Sequence, residues 1–493
     1  MRQRFEQQTS LKLLPISEVR FPLKSRDELP PVLMALQYIF VTPELNEKIF
    51  KILEEKICKG KQKTGRKGMD LWHILVLGVV RHARGMDWDQ LDHAANYDEL
   101  VRKVMGVHAT SFITEDDRIE FGYQTILDNV SLLDEETLQQ INQLIVEAGH
   151  SILKKKEEES LVLKTDSYVV ECDVHFPTDL NLLWDSLRKC LDVVGEIKKL
   201  VAIKGWRKIN HLRSALKSTF RAASFQVFKG RKEEAKIKKV TEYLIQAQRI
   251  IDKVTEVLNR ELLAGNQKAL LLTIDLKRYQ DYAIKHIDLV DRRILKGEVI
   301  PADDKIYSIF EDHTEWISKG KLNKKVELGH MVLITSDQHQ FIVDYKVMNK
   351  QKDPQQVPSL IERLEQKFPT TSISSISMDK GFYSKGNLQV IENSKIEKAI
   401  LPKKGKLNEQ EKITQSEAEF VRLRHKHSAV ESNINMLEHH GLGRCYDKGM
   451  KGFKRCVGLS VLAYNIHILG NALKAKEIAE KNKRQKAKIK RAA

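Results

Sequence analysis

One strand stands alone in this sequence, and any fold must accommodate it. Residues 161–172, LVLKTDSYVVEC, are rich in Val, Leu and Tyr and partly alternate, which is a β-strand pattern. Strand signals then stop for over a hundred residues, and 182–295 reads as long helices with few breakers. Strands return at 305–310, 326–335 and 341–347. The last two flank Ser336-Asp337-Gln338-His339, a turn-forming linker, so they are expected to pair as an antiparallel hairpin. Residues 358–368 form an amphipathic helix with Leu360, Ile361 and Leu364 on one face. A strand at 372–378 ends at Asp379, another short one covers 398–402, and 416–438 and 452–475 read as helices.

Strand, strand, strand, helix, strand, then helices is the order of an RNase H-like mixed sheet. The fold class is therefore α/β with large all-α parts: an RNase H-like mixed sheet interrupted by a long helical insertion and preceded by a helical N-terminal domain. That domain covers 1–150. Apolar-periodic runs at 33–40 and 45–57 build it, and Thr42-Pro43 supplies an N-cap followed by proline at the first helical position. Helix, short turn, helix over 69–105 has the spacing of a helix-turn-helix, and equally of an ordinary helical hairpin.

The chain of 493 residues carries a net charge of +17, from 84 Lys and Arg against 67 Asp and Glu. Such an excess predicts a polyanionic partner. No window approaches the ~20 consecutive apolar residues of a spanning helix. The opening MRQRFEQQTS has no apolar signal core, and five scattered cysteines without a CxxC argue against a disulfide framework or zinc ribbon. The charge collects in the linker KGKQKTGRKG at 59–68, in 198–239 with fourteen Lys or Arg against two Glu, and in the tail 474–491 with nine against two. Like charges at that density need an external counter-charge, so Lys208, Arg213, Lys217 and Arg221 are candidate nucleic-acid contacts.

A phosphodiester resists attack because its own charge repels nucleophiles, and two divalent metals ~3.5–4 Å apart remove that obstacle. Mg²⁺ or Mn²⁺ requires hard oxygen ligands. Asp166 lies inside the first strand, where an unpaired charge is costly. Glu171, Asp173 and Asp179 are its near rivals, and Asp173 or Asp179 suits a turn cap as well as the place of first acid. Asp379 closes an apolar-alternating strand before Gly381, at the carboxyl end where α/β sheets hold ligands. Glu431 shares a helix face with His427, Asn435 and Glu438 at three- and four-residue spacing. A solvated polar face has the same spacing.

These residues resemble an insertion-sequence DDE transposase with an RNase H-like catalytic core. The resemblance rests on four stretches in order: GRKGMDLWHILVLGVVRHARGMDWDQL, TDSYVVECDVHFPTDLNLLWD, EDHTEWISKGKLNKKVELGHMVLITSDQ, and MDKGFYSKGN followed by HSAVESNINMLEHHGLGRC. It implies that Asp166, Asp379 and Glu431 are catalytic, metal-ligating acids. It also implies Mg²⁺ with Mn²⁺ able to replace it, double-stranded DNA (terminal inverted repeats and target) as partner, and a homodimer or higher synaptic complex. Related transposases often carry tyrosine, arginine and lysine at fixed offsets around the helical glutamate. Those offsets here hold Arg424, His427 and Glu438. The gripping lysine is therefore displaced, and Arg424, Lys426 or Arg444 is the expected phosphate contact, with His427 a further DNA-binding candidate that would orient a water or contact phosphate, or else serve a structural role.

The expected organisation is a helical DNA-binding domain at 1–150, a catalytic core from 155–181 and 300–470, a basic helical insertion at 182–299 and a basic tail at 471–493. The expected activity is metal-dependent cleavage and joining of DNA at element ends, in the cytoplasm at the nucleoid, with no membrane. A non-catalytic DNA-binding protein and a nuclease with the same core are the alternatives.

Overall fold

The computed structural model describes residues 2–7, 13–60, 68–108, 119–153, 159–259, 265–318 and 325–492. Residues 61–67 of the basic linker lie outside them. The chain divides into two units, Met1–Asp173 with Ile317–Ala493, and Val174–Trp316.

The first unit is organised by β1 (Leu161–Cys172), which is buried along most of its length with Val162, Asp166 and Glu171 half-buried. Near-continuous burial requires cover on both faces and partners on both edges. The later strands are β2 (Glu315–Ile317), β3 (Glu327–Ser336), β4 (Ile342–Val347), β5 (Ile373–Met378), β6 (Ala399–Ile400) and β7 (Arg444–Cys445). The main order is β4-β3-β1-β5-β6. The β1–β3 and β3–β4 pairs are antiparallel, and β1–β5 and β5–β6 are parallel. The 336–339 turn joins β3 to β4 as expected. Asp337 holds it, its Oδ1 accepting from the backbone N–H of His339 at 2.8 Å and of Phe341 at 2.9 Å.

One edge of β1 is divided. Its pairing with β5 ends at Thr165 opposite Met378, and its pairing with β7 begins at Glu171 opposite Arg444. Among the described residues, no strand pairs with residues 166–170 on that side.

Among the described residues, seven α-helices precede β1: α1 (Leu29–Val41), α2 (Pro43–Ile57), α3 (Leu71–Ala83), α4 (Trp88–Tyr97), α5 (Glu99–Met105), α6 (Tyr123–Val130) and α7 (Glu135–Leu153). Asp87 caps α4 through a reciprocal bond with Gln90, whereas the Thr42 side chain makes no cap bond to α2. Every residue of α3 is buried, so it is an internal helix. Its N-terminal end is fixed by Trp72, whose Nε1 donates to the Val104 carbonyl at 2.9 Å. Leu33, Leu75 and Ile145 from these helices join Leu161, Leu333, Ile376 and Ile466 in one hydrophobic core. The N-terminal helices and the sheet are therefore packed together.

After β1 the insertion helices α8 (Asp179–Leu200), α9 (Ile209–Lys229), α10 (Glu233–Leu258) and α11 (Gln267–Val290) come first, and α12 (Asp353–Lys367), α13 (Lys385–Glu392), α14 (Glu409–Ser416), α15 (Ala418–His427), α16 (Ala429–Leu437) and α17 (Gly449–Ala492) follow. Helix α17 packs on α1, α3 and α7. By length and composition its stretch Gly449–Ala487 could cross a membrane, which corrects the expectation that no segment would qualify; 78% of its most apolar window is buried inside the protein, as in a core helix. It also supports buried polar groups. Asp447 takes Arg81 at 2.8 Å and Arg455 at 3.2 Å, and Ser460 bonds His82 Nδ1 at 2.7 Å.

The second unit, Val174–Trp316, has its own core, including Leu187, Leu191, Val194, Tyr243, Ile250, Val254 and Leu276. Thr178 caps α8 through the Asn181 N–H at 3.1 Å, and Asn266 caps α11. The strand expected at 305–310 is absent. Ser308 Oγ instead accepts from the N–H groups of Phe310 and Glu311 at 3.1 and 3.0 Å, local bonds that replace a ladder.

Two helices differ from expectation in their limits. Helix α12 starts at Asp353, five residues early, because Lys352 and Gln355 bond across its first turn and Pro354 is at its start. Pro358 inside it has no N–H to give the Pro354 carbonyl, which accepts from Asn387 Nδ2 at 2.9 Å instead. The single helix expected at 416–438 is divided at Ser428 into α15 and α16.

Candidate active site

Sheet register brings two of the expected acids together. Thr165 on β1 lies opposite Met378 on parallel β5, so Asp166 and Asp379 occupy the next position along each chain. This is where β5 ends and the edge of β1 opens. Asp166 is half-buried and its Oδ1 accepts from the Ser167 N–H at 2.7 Å. Asp379 is exposed at the head of a short turn, Lys380–Phe382, whose Phe382 is buried and anchors it. The third acid comes from α16, which packs on β1 through Val430, Asn433 and Leu437. Asn433 Nδ2 donates to the Tyr464 hydroxyl at 2.7 Å and ties α16 to α17. With those residues facing inward, Glu431 in the first turn is left exposed.

His427 joins the three elements. Its Nδ1 lies 3.1 Å from Ser377 Oγ, the penultimate residue of β5. Ser377 Oγ also lies 3.3 Å from the Leu163 carbonyl, which links the His427 ring to both β5 and β1. Burial holds the imidazole below its ordinary value, and Asp379 and Glu431 pull against that shift while Lys164 adds to it. Burial thus favours the uncharged imidazole, which lies in the field of Asp379 and Glu431.

Several nearby groups escaped the sequence reading. Lys164 is buried, donates from Nζ to the Asp337 carbonyl at 3.1 Å, and is depressed by burial. Strand alternation puts it on the same face as Asp166, a signal that was available. Asp353, at the head of α12, accepts from Ser167 Oγ at 2.7 Å and lies near Gly381, where an added Cβ would sit 3.4 Å from its Oδ2. It is a fourth carboxylate beside the divided edge. Tyr168, two residues beyond Asp166, has a buried hydroxyl with no hydrogen-bond partner among the described residues. Burial, with Glu438 nearby, raises it well above its ordinary value.

The expected cations are distributed unevenly. Arg424 and Lys426 are exposed in the last turn of α15. Arg444 on β7 pairs with Glu171 at 3.4 Å and Asp173 at 3.8 Å, which also occupies two rivals of Asp166. The third rival, Asp179, belongs to the insertion unit and is bound by Arg293. In that unit Lys208, Lys217 and Arg221 are exposed, while Arg213 is half-buried against Asp192 at 2.6 Å. Over 69–105, Arg81 and Arg102 are buried; Arg102 donates to the carbonyls of Ala95, His108 and Ile119.

Asp166 and Asp379 thus stand at neighbouring register positions at the divided edge of a mixed sheet, Glu431 is on a helix packed against β1, and exposed cations lie on the preceding helix. Residues 295–466 match the family model described as transposase DDE domain. The segment contains Asp379 and Glu431, and Asp166 lies upstream of it. The likeness to insertion-sequence DDE transposases read from the sequence holds on this match. No curated protein and no solved structure matches the chain.

Proposed function

We propose that the protein is the DNA transposase of an insertion sequence, cleaving and joining DNA at element ends by metal-dependent phosphodiester hydrolysis and strand transfer. The observation that carries the reading is the register of β1 and β5, which sets Asp166 beside Asp379 at an open edge, with the Glu431 helix packed on β1. The sheet order β4-β3-β1-β5-β6, with three antiparallel and then two parallel members, supports an RNase H-like core.

The donor set fits a hard divalent cation: three carboxylates, two of them exposed, and no soft ligand among them. Asp166, Asp379 and Glu431 would hold Mg²⁺, or Mn²⁺ in its place. When bound, such ions activate the attacking oxygen and stabilise the leaving one. His427, held 3.1 Å from Ser377 Oγ and in the field of Asp379 and Glu431, would orient a water or contact a phosphate. Arg424 and Lys426 would position phosphates without reading sequence. Lys208, Lys217 and Arg221 of the insertion and the basic tail would grip DNA farther along, with the helical 1–150 segment contributing to end binding. Partners are the element's terminal inverted repeats, target DNA and further copies of the chain, acting at the nucleoid in the cytoplasm.

The test uses purified protein, Mg²⁺ and a labelled duplex carrying an element end. Wild type is expected to nick and join it, and Asp379→Asn to bind but not cut. Equal cleavage by the variant sinks the assignment.

A further inference from the structure

The insertion unit contains a feature that phosphodiester cleavage does not use. A half-open cleft of about 660 Å³ is lined by four aromatic rings, Phe176, Phe228, Tyr307 and Trp316, and by Arg293 and Lys305. Its volume is in the range of small-molecule sites. Trp316 lies between two other rings, with centroids 5.5 Å from Phe176 and 5.6 Å from Tyr307. Phe176 is 60% exposed and Phe228 62%. Large wet rings grouped around a concavity mark a binding surface rather than scattered surface apolarity.

The charges select the ligand. Arg293 holds Asp179, whose carboxylate is also in the field of Lys305. Glu298, the other acid at the cleft, is held by Arg292 at 2.8 Å. The two acids and two cations of the lining thus balance, and the cationic excess beside the cleft comes from α9, which has no Asp or Glu. Helix α9 extends the pattern. Lys217, Arg221, Phe225 and Phe228 recur at four- and three-residue spacing on one exposed face, so two cations lead through two rings to the cleft. Aromatic platforms beside a basic track suit nucleic acid whose base faces are accessible. A stacked duplex hides those faces.

We propose that this cleft binds single-stranded DNA, stacking an unpaired base against Trp316 and Phe176 while Lys217 and Arg221 hold the adjoining phosphates. The proposal rests on the DNA-transposase reading and adds a second kind of DNA to it.

The full-length protein would be titrated with a fluorescein-labelled oligo(dT) of about 12 nucleotides and, separately, with a labelled duplex, both by anisotropy at fixed salt. Trp316→Ala and Phe176→Ala are each expected to weaken oligo(dT) binding on the order of tenfold and to leave duplex binding at the wild-type value. Lys217→Ala with Arg221→Ala should reduce the salt dependence of oligo(dT) binding. Circular-dichroism melting identifies any variant that has lost its fold, and the other aromatic variant then decides. Wild-type affinity for oligo(dT) in both aromatic variants overturns the proposal, as does equal loss of oligo(dT) and duplex binding in a folded aromatic variant. A wild-type chain that binds duplex but not oligo(dT) refutes the cleft alone. One that binds neither also removes the transposase reading.

Discussion

Replacing Asp344 by asparagine tests how the outer part of the sheet is held. Asp344 is on β4 and is 1% exposed. Its carboxylate accepts from Arg363 Nη2 at 2.7 Å and from Lys367 Nζ at 2.6 Å, both on α12. Burial alone would raise this carboxyl; Lys367 and Arg363 outweigh it and hold the group below its ordinary 3.8. Asparagine keeps the shape and one acceptor but leaves two cations without a counter-charge. Breaking a buried pair costs ~3–5 kcal/mol. The Arg363 and Lys367 side chains are 24% and 20% exposed and recover part of that from water. The loss should therefore be about 2–3 kcal/mol, on the order of 30- to 150-fold in the folding equilibrium. The sign with pH follows from the depressed carboxyl. Its stabilisation is complete above the unfolded value and disappears as pH falls through the lower folded value, so below about 4. Urea titrations followed by far-ultraviolet circular dichroism should show a lower midpoint for the variant at pH 7 and a gap that closes toward pH 2. Equal midpoints at pH 7, or a gap unchanged at low pH, would refute the electrostatic account.

Gly470→Ala should destabilise the first unit by ~1–3 kcal/mol, because an added Cβ would lie 1.9 Å from the Pro31 carbonyl oxygen and must push α17 from α1; an unchanged urea midpoint would contradict that contact. His82 is depressed by burial to about 3 beside Arg81, Asp447 and His440, so its stabilisation is complete above the ordinary 6.5 and declines as pH falls toward 3. His82→Gln can keep a bond to Ser460 but cannot titrate, and its stability should fall less steeply between pH 6 and 4, by up to ~1.4 kcal/mol per pH unit; identical slopes would exclude His82 as the titrating group.

The sheet could be read from the sequence where strands are long and partnered. Leu161–Cys172 stands in the structure with the limits its Val-, Leu- and Tyr-rich pattern implied. Residues 305–310 have similar local composition but lie in the mainly helical insertion unit, and no pattern within six residues tells whether a strand partner is at hand. The start of α12 was obscured by its prolines, since Asp353-Pro354 reads as a break until the Lys352–Gln355 bond is seen. The placing of Asp379 at a strand end and of Glu431 on an exposed helix face followed from local patterns, whereas the role proposed for Glu431 came from the family resemblance. Ser377, Lys164 and Asp353 were not singled out. Their roles come from register and packing between residues as far apart as Ser377 and His427 or Ser167 and Asp353.

The pairing of Glu171 with Gly329 gives the sheet a delayed birth. At ~5–20 residues per second of synthesis, roughly 8–30 s pass after β1 emerges before its antiparallel partner exists, and β5 follows later still. During that interval a Val-rich strand with two open edges is a hazard for pairing between nascent chains. The insertion unit, with its own core, can fold within the same interval and shorten the loop that β1 and β3 must close. The 143 residues that interrupt the sheet are therefore also a timing element: their folding sets when the strand carrying Asp166 is sheltered.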